Sequence, residues 1–171
     1  MPDDPLDDAQ IPRGIAEGGE RAEVALVHFD GACQTVDGVR VATYGYTVVS
    51  ASGHREGRGL AVPPGAPHAT NNVAEYCAAI RALEELRAEG YAGKVLVRGD
   101  SQLVLRQMDG SYAIRSEHLK AYHERLRQLV SGFSEVRFEW VPRSQNAIAD
   151  ALSKQALAEE REALRSSGSY R

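Results

Sequence analysis

Cysteine is nearly absent from this chain: of 171 residues, only Cys33 and Cys77 carry a thiol. Their separation matches no zinc-binding spacing and two distant cysteines make no disulfide scaffold, so a reducing cytosol is the expected setting. Tryptophan occurs once, at Trp140, and aromatic residues make up 6% of the sequence. No apolar run approaches the roughly 18 residues that a membrane span needs. Neither sign of charge dominates, with 20 Lys+Arg against 24 Asp+Glu. If the partner is a nucleic acid, no basic excess announces it. The opening MPDDPLDDAQ is acidic where export and transit signals are basic, so the expectation is a cytoplasmic protein with no membrane partner.

What is present is ordinary globular material, 43% hydrophobic and 26% charged, which excludes collagen, coiled coil and full disorder. The length fits a single domain of about 100–200 residues, able to bury roughly 70% of its unfolded surface without a staple. The charge is unevenly spread. Residues 1–22 hold Asp3, Asp4, Asp7, Asp8, Glu17 and Glu20 against Arg13 and Arg21, so this stretch carries the entire net charge of −4. It has no hydrophobic periodicity and reads as a disordered acidic tail. The folded domain is expected over 23–160, with 161–171 finishing the last helix in a polar tail.

From Glu23, EVALVHFDGA is nearly all apolar or β-prone, which suggests a central strand buried on both faces. A turn at Val36-Asp37-Gly38 leads into VRVATYGYTVVS, and another at Ala51-Ser52-Gly53 into HREGRGLAV, completing a three-strand meander. After Pro63-Pro64-Gly65 the period changes. Val73, Tyr76, Cys77, Ile80 and Leu83 mark an amphipathic helix closed by Gly90. KVLVRG is a short strand, followed by a helical SQLVLRQMDG. Leu119, Tyr122, Leu126, Leu129 and Val130 define the next helix, which Gly132 stops. EVRFEWV alternates as a strand, placing Trp140 in the core, and Ser144 opens a final helix to about Leu164. This order predicts an α/β protein whose mixed sheet carries helices on its faces.

Four acids stand out, and each has a plain structural explanation. Asp30 lies inside the most hydrophobic strand, where an ion pair could hold it, but a metal or catalytic role better justifies a cost of several kcal/mol. Glu75 follows Asn72 by three residues, as in a capping arrangement. Asp100 stands between a strand and a helix, a common N-cap position. Asp150, in the second turn of the last helix, precedes Lys154 by four residues, an ordinary helical ion pair. The joint arrangement is more telling. Strand ends and helix starts gather at one edge of an α/β sheet, and four carboxylates there repel unless a cation sits among them. Oxygen ligands without His or Cys select Mg²⁺ or Mn²⁺.

The segments FDGA (29–32), TNNVAEY (70–76), GDSQ (99–102) and NAIADALS (146–153) resemble, in order and spacing, the signatures of ribonuclease H type 1. The resemblance spans about residues 23–160. It implies the ribonuclease H-like fold, a five-stranded mixed sheet of three antiparallel strands and then two parallel ones, flanked by helices. It implies cleavage of the RNA strand of RNA/DNA hybrids by two Mg²⁺ or Mn²⁺ ions, leaving 5′-phosphate and 3′-hydroxyl ends. Asp30, Glu75, Asp100 and Asp150 match the metal-binding acids, with Asp30 between the ions. Gly31, lacking a side chain, would let a phosphate come close. Asn71 and Asn72 match readers of the RNA 2′-hydroxyl, Thr70 a position that binds a DNA-strand phosphate, and Gln102 a substrate contact.

Two features depart from many members. Met108–Ser116 is too short for the basic, tryptophan-bearing protrusion, which implies weaker, more salt-sensitive hybrid binding. The loop Val141–Asn146 has no histidine, as in the shorter archaeal-like and reverse-transcriptase-like branch, and Arg143 is the candidate in its place. None of His28, His54, His68, His118 and His123 is assigned to catalysis. Double-stranded RNA is a further candidate substrate, and a monomer is expected. The competing readings are a resolvase- or exonuclease-like DNA nuclease on the same fold, against which the TNN beside Glu75 argues, and a non-catalytic binding module, against which the full set of acids argues.

Overall fold

The computed structural model describes residues 23–167; the acidic stretch 1–22 and residues 168–171 lie outside the described residues. Five strands form one sheet in the order β3-β2-β1-β4-β5. They are β1 (Val24–Val36), β2 (Val39–Ser50), β3 (Gly53–Leu60), β4 (Lys94–Gly99) and β5 (Glu135–Trp140). β1 pairs antiparallel with β2, and β2 with β3, whereas β4 runs parallel to both β1 and β5. This is the expected mixed sheet, with β1 at its centre. The β1–β2 turn uses Asp37 and Gly38, both at positive φ (49° and 83°), the paired left-handed geometry that matches hairpin twist.

Four helices follow: α1 (Asn71–Ala88), α2 (Gln102–Met108), α3 (Glu117–Val130) and α4 (Ala147–Ser167). The expected amphipathic α1 is instead buried on most of its circumference, from Val73 through Leu86. It packs on β1 and β2 and also against α3 and α2, so it has little free face to present to water. Ala74, Ala78, Ala79 and Ala82, all fully buried, supply the small surfaces that let its backbone approach its neighbours. One cluster joins Ala25, Val27 and Phe29 of β1 to Val73, Tyr76, Ile80 and Leu83 of α1 and Leu126 of α3.

α4 covers β2, β1 and β3. Its start also differs from expectation. Arg143–Gln145 form a single 3-10 turn after Pro142, and the α-helix begins only at Ala147, which moves Asp150 from the second turn to the first. Trp140 is not core: it is 48% exposed at the end of edge strand β5, beyond the cover of Val136 and Phe138. The link between α2 and α3, residues 109–116, carries no helix, in line with the missing protrusion.

Two tyrosines repair an edge weakened by glycine. Tyr46 and Tyr44 stand opposite Gly57 and Gly59 of β3, and their rings occupy the space a side chain would take there, a known means of covering edge glycines. Gly45, between them, serves α4. A Cβ at Gly45 would lie 2.5 Å from the Ser153 nitrogen and 2.6 Å from the Ala149 oxygen, and Thr43 Oγ1 donates to the Ser153 carbonyl at 2.7 Å. Because the obstacle is helix backbone, Gly45→Ala is expected to push α4 off the sheet and cost about 1–3 kcal/mol. Urea unfolding measures this, and an unchanged midpoint would refute the packing argument.

Candidate active site

The four acids arrive from four different elements. Asp30 stands in mid-β1 opposite Gly45, Glu75 one turn into α1, Asp100 directly after β4, and Asp150 in the first turn of α4. All four line one open groove of about 590 Å³, together with Gly31, Cys33, Gln34, Asn71, Ser101, Arg143 and Lys154. No histidine lines it.

The local explanations fail for Glu75 and Asp100 and hold for Asp150. The cap of α1 is Thr70, whose hydroxyl accepts from the Val73 N–H at 3.2 Å. Asn72 is therefore not a cap, and Glu75 closes no capping box with it. Asn71 instead donates from Nδ2 to Glu75 Oε1 at 2.6 Å, while Glu75 Oε2 is buried without a hydrogen-bond partner. Asp100 is not a cap either, because Ser101 accepts from the Val104 N–H and starts α2. Asp30 accepts from the Gly31 N–H at 2.9 Å. The Asp150–Lys154 pair does form, at 3.0 Å, and Arg143 Nη2 lies 3.6 Å from the other Asp150 oxygen.

Of the remaining expected residues, Thr70, Asn72 and Gln102 lie outside the groove lining. Gly31 does line it, and its missing side chain also serves the packing. A Cβ there would fall 2.6 Å from the Glu75 nitrogen and 2.8 Å from Ala74. The glycine lets β1 touch α1 and so brings Asp30 beside Glu75.

Asn146 was overlooked as a site residue, although it opens the NAIADALS segment. It is 1% exposed. Its Nδ2 donates to the Phe29 carbonyl at 2.9 Å and to Asp100 Oδ1 at 3.2 Å, and its Oδ1 has no partner. One amide thus ties the loop before α4 to the backbone beside Asp30 and to the third acid. The available signal was an asparagine immediately before a helix, which reads equally well as an exposed cap.

Burial first, and then the Asp100 and Asp150 carboxylates, push Asp30 up to about 8, against the opposing Gly31 N–H. Burial also raises Glu75, to about 7, with Asp100 adding and the Ser101 hydroxyl opposing. Burial would raise Asp150 as well, but Lys154, a hydrogen bond from Asp30 and Arg143 outweigh it and hold that acid below its ordinary value. The interaction between Asp30 and Asp150 thus links an acid pushed up by its surroundings to one held down by its cations.

This donor set suits a hard divalent cation. It contains oxygen alone, and the partnerless Glu75 Oε2 and the upward push on Asp30 both mark uncompensated negative charge. Among the described residues, no three His, Cys, Asp or Glu side chains already converge at ligating distance. The carboxylates face one another across the groove and do not form a closed cage.

Comparison with known proteins identifies the family and the fold. The profile of the reverse transcriptase-like family matches residues 28–156. Ribonuclease HI of Halobacterium salinarum is 34% identical over 156 residues, which is 84% of this chain and 74% of that protein. The chain belongs to the ribonuclease H type 1 family. It is a ribonuclease H by that membership. The crystal structure of the Halobacterium salinarum RNase H1 superposes with a TM-score of 0.69 at 35% identity, covering 80% of this chain and 98% of that one. The N-terminal RNase H domain of Rv2228c from Mycobacterium tuberculosis gives 0.72 at 29% identity, covering 82% and 97%. Full-length Rv2228c is a bifunctional protein, and this ribonuclease H matches 24% of it. LC11-RNase H1, solved in complex with an RNA/DNA hybrid, gives 0.68 at 30% identity, covering 80% and 98%.

The raised acids make stability depend on pH. Asp30 and Glu75 hold protons more tightly folded than unfolded, so their contribution is complete below the ordinary carboxylate range. It is lost as pH rises through about 7 and 8. Half-buried His28, lowered to about 4 by burial and Arg98, acts in the opposite sense but is mostly neutral in both states above about 7. Between pH 7 and 8.5, in EDTA, the melting temperature is therefore expected to fall. Asp30→Asn is expected to flatten that slope and add on the order of 2 kcal/mol at the alkaline end. Melts with no such slope in the wild type would contradict the assignment.

Proposed function

We propose that this ribonuclease H hydrolyses the RNA strand of RNA/DNA hybrids, holding two Mg²⁺ or Mn²⁺ ions with Asp30, Glu75, Asp100 and Asp150. The observation that carries the reading is the convergence of these four carboxylates, from β1, α1, β4 and α4, on one groove that also contains Asn71. The relationship to LC11-RNase H1, which takes a hybrid, supports the substrate. When bound, the ions supply Lewis-acid charge to the attacking water and the departing 3′ oxygen, which yields 5′-phosphate and 3′-hydroxyl ends.

The chain's own residues do the rest. Asn71 fixes Glu75 through its Nδ2 and lines the groove, and in this reading its amide reads the 2′-hydroxyl of the RNA strand. Asn72, Thr70 and Gln102, outside the groove, take flanking contacts with the two strands in this reading. Arg143, 68% exposed on its 3-10 turn, swings over the groove as a permanent cation. Its guanidinium stays protonated and cannot act as a general base, but it can bind the scissile phosphate as charge builds and help the product phosphate leave. Asn146 acts through its neighbours as a positioning residue for Asp100 and for the loop that carries Arg143. The protein works as a cytoplasmic monomer in this reading; among the described residues no helix is long and apolar enough to cross a membrane.

One cleavage panel tests the proposal: hybrid, duplex RNA, duplex DNA and single strands, each with Mg²⁺, Mn²⁺ or EDTA. Hybrid is expected to be cut with either metal and not in EDTA. A hybrid whose RNA strand contains a run of deoxynucleotides is expected to resist cutting within the run, and cutting there would favour a DNA nuclease. Metal uptake by the free enzyme, and with it cleavage at subsaturating metal, should also rise with pH as Asp30 and Glu75 give up their protons to the ions. Arg143→Ala is expected to lower kcat by roughly 10²-fold, with a smaller change in KM and an unchanged fold, and Arg143→Lys to restore part of the rate. Parental kcat in Arg143→Ala would make the arginine a surface residue.

A further inference from the structure

Asp150 differs from the other three acids in its company. Asp30 has the Gly31 N–H and Asp150 itself, Glu75 has Asn71, and Asp100 has Asn146. Asp150 has two cations, one on each oxygen: Lys154 Nζ at 3.0 Å from Oδ2 and Arg143 Nη2 at 3.6 Å from Oδ1. Lys154 alone of the two shares a helix with Asp150, one turn on, so α4 holds it in place. It also lines the groove that the four acids line. An i,i+4 pair that served only α4 could stand on any exposed face; this one places its ammonium where a divalent cation must come.

We propose that Lys154 is a built-in competitor of the divalent cation at Asp150. The inference rests on the metal-holding reading above. The ammonium occupies Oδ2 until an ion arrives, and must then swing away into solvent. Its side chain, 54% exposed beside an Asp150 that is 21% exposed, has the freedom to do so. Lys154 thereby sets both affinity and order: an ion meets the carboxylates of β1, α1 and β4 first, and engagement of Asp150 comes last and weakest. It acts on the metal through the fourth acid and never needs to touch the substrate.

The test is Mn²⁺ binding by the full chain without substrate, read as the loss of the free-ion paramagnetic resonance signal, so that no turnover is involved. Lys154→Met is expected to tighten the weakest Mn²⁺ site about threefold to tenfold, the scale of removing one screened charge contact together with its repulsion of the ion. Lys154→Arg, which keeps the charge, is expected to stay near the wild type. Lys120→Met removes an equal charge from a pair on α3 and is expected to bind Mn²⁺ as the wild type does. An unchanged affinity in Lys154→Met, or a weaker one, overturns the inference, the latter by making Lys154 a support for Asp150 as ligand. Equal tightening in Lys120→Met overturns it too, as a bulk-charge effect. If neither the wild type nor Lys154→Met binds Mn²⁺, the metal-holding reading fails and takes this inference with it. If both bind identically, only the inference fails.

Discussion

A carboxylate in the centre of the central strand is the constraint around which this ribonuclease H is arranged. Asp30 interrupts a strand whose neighbours Ala25, Val27 and Phe29 are fully buried, and its own burial pushes its acidity to about 8. Water cannot solvate the charge there as it does at the surface, so the surroundings must answer for it. The Gly31 N–H and the cations on Asp150 together form that answer in the protein alone. None of these cancels the field completely, which is why the groove retains its demand for positive charge.

The same constraint explains why the helices sit as they do. Glu75 can stand beside Asp30 only because Gly31 brings β1 against α1, and Asp150 can do so only because Gly45 brings β2 against α4. Asn146 then locks the far side by bonding the Phe29 carbonyl and Asp100 with one amide. Two glycines and one asparagine, none of them a catalytic residue, fix the spacing of the acids more firmly than the acids could against their own repulsion.

Much of this was readable from sequence, for identifiable reasons. Strand and helix order followed from changes of hydrophobic period, which are local, and the four acids emerged from their ordered spacing. The misreadings concern effects that are not local. Burial of α1 on most sides depends on α2 and α3 arriving from later in the chain, and exposure of Trp140 depends on where the helical cover over β5 ends. Capping by Thr70 and Ser101 in place of Asn72 and Asp100 is a one-residue choice that composition cannot settle when every candidate is a good cap. Asn146 and Gly45 act through partners 117 and over 100 residues distant, a separation no spacing rule addresses. The missing side chain at position 31 has a second use that no local pattern reveals, room for a helix beside the strand.

The contact at Gly31 bears on how this chain can vary over generations. Its absent side chain and the backbone of Ala74 and Glu75 occupy one volume, so the two stretches, more than forty positions apart in sequence, share a single inheritance. A larger residue at 31 has no rotamer that avoids the helix, and removing the Ala74 Cβ would not make room, since the Glu75 nitrogen and the Ala74 carbonyl carbon would still stand in the way. Lineages descending from this protein can therefore exchange nearly every exposed position of α1 while position 31 stays without a side chain, or else must retreat the whole helix and carry its acid away with it.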